Sequence, residues 1–79
     1  MALMASIGGA LAASAVNRDA EERTLIVTES GNQSEIVLAP GETVEFCQRG
    51  CFVTLPNGDR EALTGAETIE ILDGQARVR

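Results

Sequence analysis

Ile69-Glu70-Ile71-Leu72-Asp73-Gly74-Gln75-Ala76-Arg77-Val78 reads as two strands joined by a two-residue turn. Asp-Gly suits a type I′ turn, in which both central residues need positive φ. With that loop Leu72 faces Gln75, Ile71 faces Ala76, Glu70 faces Arg77 and Ile69 faces Val78. One face of the pair is then wholly apolar and the other carries opposite charges. Such agreement between turn chemistry and side-chain alternation fixes the register of a hairpin.

Working back from this hairpin, the chain keeps the same grammar. Short runs rich in Val, Ile, Thr and Phe alternate with Gly, Pro, Asn or Asp, the pattern of an all-β meander or small sandwich. The expected strands are Thr24–Thr28, Glu35–Ala39, Thr43–Cys47, Cys51–Leu55, Arg60–Leu63, Glu67–Leu72 and Gln75–Arg79. The fold class expected is therefore all-β, a small antiparallel meander or compact sandwich or barrel of six to seven short strands, preceded by a helical or disordered N-terminal leader.

Two further turns place Gly third, Gln48-Arg49-Gly50 and Pro56-Asn57-Gly58, as a three-residue loop with a left-handed bulge residue requires. A two-residue Asn57-Gly58 turn would put Pro56 in the flanking pair, where its missing N–H costs a ladder bond, so the longer loop is expected. In that register Cys47 faces Cys51, Phe46 faces Phe52 and Phe52 faces Ala62. Val44, Phe46, Phe52 and Ala62 then share one buried face, while Cys51, Val53, Leu55 and Leu63 point to the other side. A sheet apolar on both sides is covered twice, by a second sheet and by a partner, a lipid or the N-terminal segment. Pro40-Gly41 suits a type II turn, whose twist fits a tight hairpin poorly; it reads as a corner where the chain changes sheets.

The first seventeen residues carry no charge and include the small-x-small triplet Ala13-Ser14-Ala15. An apolar run closed by small residues is the form of a secretory signal, although the first basic residue is Arg18, and none precedes the run. The division expected is a signal peptide over residues 1–15, a polar linker over 16–23 and a small β domain over 24–79, exported to a periplasmic or extracellular location. Packing as a helix on the domain, or retention as a membrane tether, are the alternatives for the leader.

Composition narrows the function. Six Arg, no Lys and twelve acids give a net charge of −6, which repels nucleic acid and anionic lipid. There is no Trp, Tyr or His, and Phe46 and Phe52 are the only aromatics, so Ile, Leu and Val must build a thin core. Cys47-Gln48-Arg49-Gly50-Cys51 is the one motif that could carry chemistry. In an exported chain a structural disulfide is the first reading. A redox role, with Arg49 lowering a thiolate pKa, is the second, but the spacing is not Cys-x-x-Cys and no βαβ frame accompanies it. Zinc would need four N or S ligands, and one chain offers two. Glu67 with Glu70, or Glu42 with Glu45, form no proton relay without His, Tyr or Lys. Asn57-Gly58-Asp59 lacks the preceding acids of a calcium loop. Ala39-Pro40-Gly41-Glu42-Thr43-Val44-Glu45-Phe46 resembles the start of a strand in cupredoxins and other secreted sandwiches, and the absence of His excludes their usual copper centre. It assigns no family.

The sequence thus points to an exported, disulfide-stapled β module with a binding or structural role, without catalytic residues, metal or cofactor. The alternatives are a small thiol-redox protein using Cys47 and Cys51, or a subunit tethered by an uncleaved N-terminus. The expected binding surface is Gln48, Arg49, Gly50, Phe52, Val53 and Leu55, because a stapled loop offers the only cation between Arg23 and Arg60 beside a strand apolar on both faces. Its occupant would be another protein or a second copy of the chain.

Overall fold

The computed structural model describes residues 12–79; the segment expected as a leader lies outside them through residue 11. Eight strands follow: β1 (Ala13–Asn17), β2 (Arg23–Glu29), β3 (Asn32–Leu38), β4 (Thr43–Phe46), β5 (Cys51–Thr54), β6 (Arg60–Leu63), β7 (Thr68–Leu72) and β8 (Gln75–Val78). They form two four-stranded sheets, A in the order β4-β1-β7-β8 and B in the order β3-β2-β5-β6. Ala13, Ala15, Phe46, Ile69 and Ile71 of sheet A and Leu25, Val27, Leu38, Val53 and Leu63 of sheet B belong to one buried cluster. The sheets therefore enclose a single core between them, and the architecture is an all-β sandwich.

Turn chemistry explains the hairpins. At Asp73-Gly74 both φ values are positive, 56° and 73°, as the type I′ turn demands. The register is Ile69↔Val78, Glu70↔Arg77, Ile71↔Ala76 and Leu72↔Gln75, as the sequence implies. Ile69 and Ile71 are fully buried, with Ala76 and Val78 packed against the core. Ser30-Gly31 makes a second turn of this type, with φ 51° and 80°, so β3 begins at Asn32 and not at Glu35. Around Pro56-Asn57-Gly58 the Leu55 N–H donates to the Asp59 carbonyl (2.7 Å) and the Gly58 N–H to the Leu55 carbonyl (2.8 Å), closing the three-residue loop. Phe52 faces Ala62 across that hairpin.

At Ala39-Pro40-Gly41-Glu42 the Glu42 N–H donates to the Ala39 carbonyl (3.0 Å), and Gly41 has φ 81°. The chain leaves sheet B here and enters sheet A, the change of sheet read from Pro40-Gly41.

Two further expectations are corrected. The described domain reaches back at least to Ala13 and does not start at Thr24. Ala13-Ser14-Ala15 lies in a strand inside sheet A, antiparallel to β4 and parallel to β7. Ala13 and Ala15 have no exposure, and the 16–23 linker shrinks to the bend between Asn17 and Arg23. Asn17 explains why the bend is fixed: its Nδ2 donates to the carbonyls of Glu21 (2.8 Å), Leu38 (3.0 Å) and Ala39 (3.3 Å), and its Oδ1 accepts from the Asp19 N–H (2.9 Å). The second correction is that β4 and β5 do not pair. They lie in different sheets, so Gln48-Arg49-Gly50 is a corner and not a hairpin loop, and Phe46 does not face Phe52.

Candidate functional site

The corner between β4 and β5 carries the chain's only disulfide chemistry. Cys47 follows the last residue of β4 and Cys51 opens β5, and the two are bonded with Cα atoms 5.6 Å apart. Because those strands belong to opposite sheets, the bridge staples one sheet to the other. Cys47 adopts a left-handed backbone (φ 60°), which turns the chain so sharply that Phe46 and Cys47 are both buried. Simple inside–outside alternation ends at that residue.

The inverted faces follow from this break. Cys51, Val53, Leu55 and Leu63 point into the sandwich, and Phe52 and Ala62 point out. Val53 (0% exposed) and Leu55 (5%), expected on a binding surface, are covered by the chain's own other sheet. Val44, Phe46, Phe52 and Ala62 do not share a face. Gln48 and Arg49 are exposed at the corner and Gly50 is half-buried. Phe52, the remaining member of the expected surface, is 54% exposed. An open depression of about 410 Å³, lined by Glu29, Phe46, Cys47, Gln48 and Arg49, lies at the corner.

The loop before β7 packs beneath the corner. Gly65 has φ 108°, and a Cβ there would sit 2.8 Å from the Cys47 carbonyl oxygen and 3.0 Å from that of Gln48. Glu67 holds this loop in shape, its carboxylate accepting from the N–H groups of Thr64, Gly65 and Ala66 and from the Thr64 hydroxyl. The bond from the Thr64 N–H is the largest influence, followed by partial desolvation in the opposite sense, then Gly65 and the Thr64 hydroxyl, and the net result is a pKa lowered to about 2. These donors would otherwise form an anion-binding concavity; here the chain's own carboxylate fills it.

The same device recurs at the opposite hairpin. Asp19 accepts from the Gly74 N–H (2.9 Å), the Asp73 N–H and Arg23 Nε (2.8 Å). The Gly74 bond is the first cause of its lowered pKa. Glu70 faces Arg77 in register, but its ion pairs are with Arg18 and Arg79, and the Arg18 bond leads in lowering its pKa. Glu42 accepts from the Ala39 N–H (2.8 Å). Three of the four carboxylates considered for acid–base work, Glu42, Glu67 and Glu70, thus hold turns and strands in place.

Outside the sandwich, sheet B presents an apolar centre of which sequence reading singled out only Phe52 as a binding residue. Ile26, Val37, Phe52 and Ala62 all lie on its outer side, since their strand neighbours Leu25, Leu38, Val53 and Leu63 point inward. Val37 and Phe52 are about half exposed, and Ile26 lies between them, half-buried. Threonines 24, 28 and 54 complete the surface. Glu35 and Arg60 stand on the two edge strands. The alternation of Leu25-Ile26-Val27 and Ile36-Val37-Leu38 carries no mark of which side is which; the pairing of β2 with both β3 and β5 supplies it.

The chain matches no protein-family model, no curated protein and no solved structure, so its geometry alone carries the functional reading.

Proposed function

We propose that the chain is an exported β-sandwich, stapled by Cys47–Cys51, that works as a binding or structural module and not as an enzyme, with the outer face of sheet B as its working surface. The observation that carries this reading is Phe52: one of the chain's two aromatics stands 54% exposed beside Ile26 and Ala62, while the core closes without it. A large apolar side chain held out by a rigid, stapled strand gains from a partner and not from its own fold. Export is supported by the bonded cysteines, since such bridges persist in oxidising compartments. Both cysteines are buried, which favours a structural bridge over exchange with an incoming thiolate.

Export and β1 must be reconciled. A cut after Ala15 would remove three residues of a strand paired on both sides. Ala10-Leu11-Ala12 also has the small-x-small form, and a cut after Ala12 leaves β1 whole.

Maleimide labelling of the chain in its host, before and after reduction, tests the reading. Cys47 and Cys51 should resist label until reduced, in the fraction outside the cytoplasm. Two labelled thiols in a cytoplasmic chain would overturn it.

A further inference from the structure

Cross-strand pairing sorts the outer face of sheet B into rows. One row runs Glu35, Ile26, Thr54, Arg60 across β3, β2, β5 and β6, and the next places Phe52 beside Thr28. Glu35 and Arg60 therefore end one row at opposite edges, three strand spacings apart, about 14 Å. Neither has an ion-pair partner among the described residues.

We propose that this face binds a second copy of the chain, sheet B against sheet B, around a two-fold axis parallel to the strands and between β2 and β5. That rotation exchanges the two ends of each row while keeping its height. It sets Glu35 of one copy over Arg60 of the other, twice by symmetry, and Phe52 over the methyl of Thr28. A two-fold axis running along the row would instead oppose Glu35 to Glu35 and Arg60 to Arg60. The charges thus select one of the two face-to-face arrangements, and aligned sheet packing of this kind is the ordinary way two β-faces meet. Each copy carries a net charge of −6, so association depends on such local pairing. Four strands by about five residues give a face of roughly 300 Å² in projection, and side-chain relief raises the total buried by two copies to on the order of 1,000 Å², the lower bound for a specific interface. The dimer is accordingly weak and concentration-dependent.

The inference rests on the binding role proposed above and names its occupant. Sedimentation velocity of the oxidised chain, over a range of micromolar to millimolar concentrations, should show the mass rising toward two chains. Glu35→Arg and Arg60→Glu should each weaken the dimer at least about tenfold, and the double charge swap should restore it to within a few-fold, because the pair is re-formed with reversed sign. Circular dichroism and intact disulfides establish that the variants fold, as expected for exposed positions on edge strands. A monomer at every concentration, single variants without effect, or no rescue by the double would each overturn the proposal. Photo-crosslinking from p-benzoylphenylalanine at position 52 in expressing cells separates the two levels. An adduct of two chains supports the dimer. One with a different protein overturns self-pairing but preserves the binding role, and no adduct overturns both.

Discussion

Asn17 is fully buried, yet it is the side chain on which three segments converge. Its carboxamide serves the Glu21, Leu38 and Ala39 carbonyls, while its backbone N–H donates to Glu42 and its carbonyl accepts from Gly41. Asn17→Ala keeps the backbone bonds and orphans the carbonyls, which in a dry interior costs about 2–3 kcal/mol. Urea denaturation should show that loss, and an effect no larger than an exposed substitution would refute the role given to this side chain. Glu67 offers a different signature. Its folded pKa of about 2 lies below the ordinary 4.5, so its stabilising bonds are fully present above pH 4.5 and are lost as the pH falls through 2. The stability difference between wild type and Glu67→Gln should be largest near neutrality and shrink across that window. A difference independent of pH would show that the carboxylate charge is not what holds the loop.

At the level of strands and turns, glycine positions separate backbone strain from crowding. Gly41 and Gly65 both have positive φ, but a Cβ at Gly41 meets open space and one at Gly65 meets the Cys47 and Gln48 carbonyls. Gly41→Ala should cost about 1–2 kcal/mol, and Gly65→Ala at least about 3 kcal/mol because the corner must also shift. Equal losses on thermal or chemical unfolding would contradict the packing of the β6–β7 loop under the stapled corner. The hairpins at Asp73-Gly74 and Pro56-Asn57-Gly58 were legible because their turn residues and flanking alternation specify the same register. Pro40-Gly41 was legible as a corner because type II twist disfavours a hairpin. Gln48-Arg49-Gly50 was not, since a glycine in third place serves a bulged loop and a sheet-changing corner equally; only the left-handed Cys47 decides between them, and nothing local announces it. That single residue moved Val53 and Leu55 from the expected surface into the core and left Phe52 outside. Ala13-Ser14-Ala15 misled for a related reason: small residues that suit a protease also suit a strand that must sit between two neighbours, and its partners β4 and β7 lie far along the sequence.

For the molecule as a whole, two features compensate for a core without large aromatics other than Phe46. One is β1, which joins β4 to β7 and makes sheet A continuous. The other is the bridge between sheets. Closing so short a loop stabilises by about 2 kcal/mol in the chain-entropy model, a sizeable share of what a small domain possesses. Changing Cys47 and Cys51 together to Ser should lower the unfolding free energy by about that amount with the circular dichroism of the folded state retained; an unchanged stability would remove the staple from the account. The proposed export, with β1 in place, makes one demand that a single spectrum answers, the intact mass of the unreduced chain recovered from its native host. The expected result is a chain whose first residue is Ala13 and whose mass rises by two hydrogens on reduction. A folded chain beginning at Val16 would contradict the place of β1 in sheet A, and one retaining its leader with both thiols free would contradict the exported, stapled module itself.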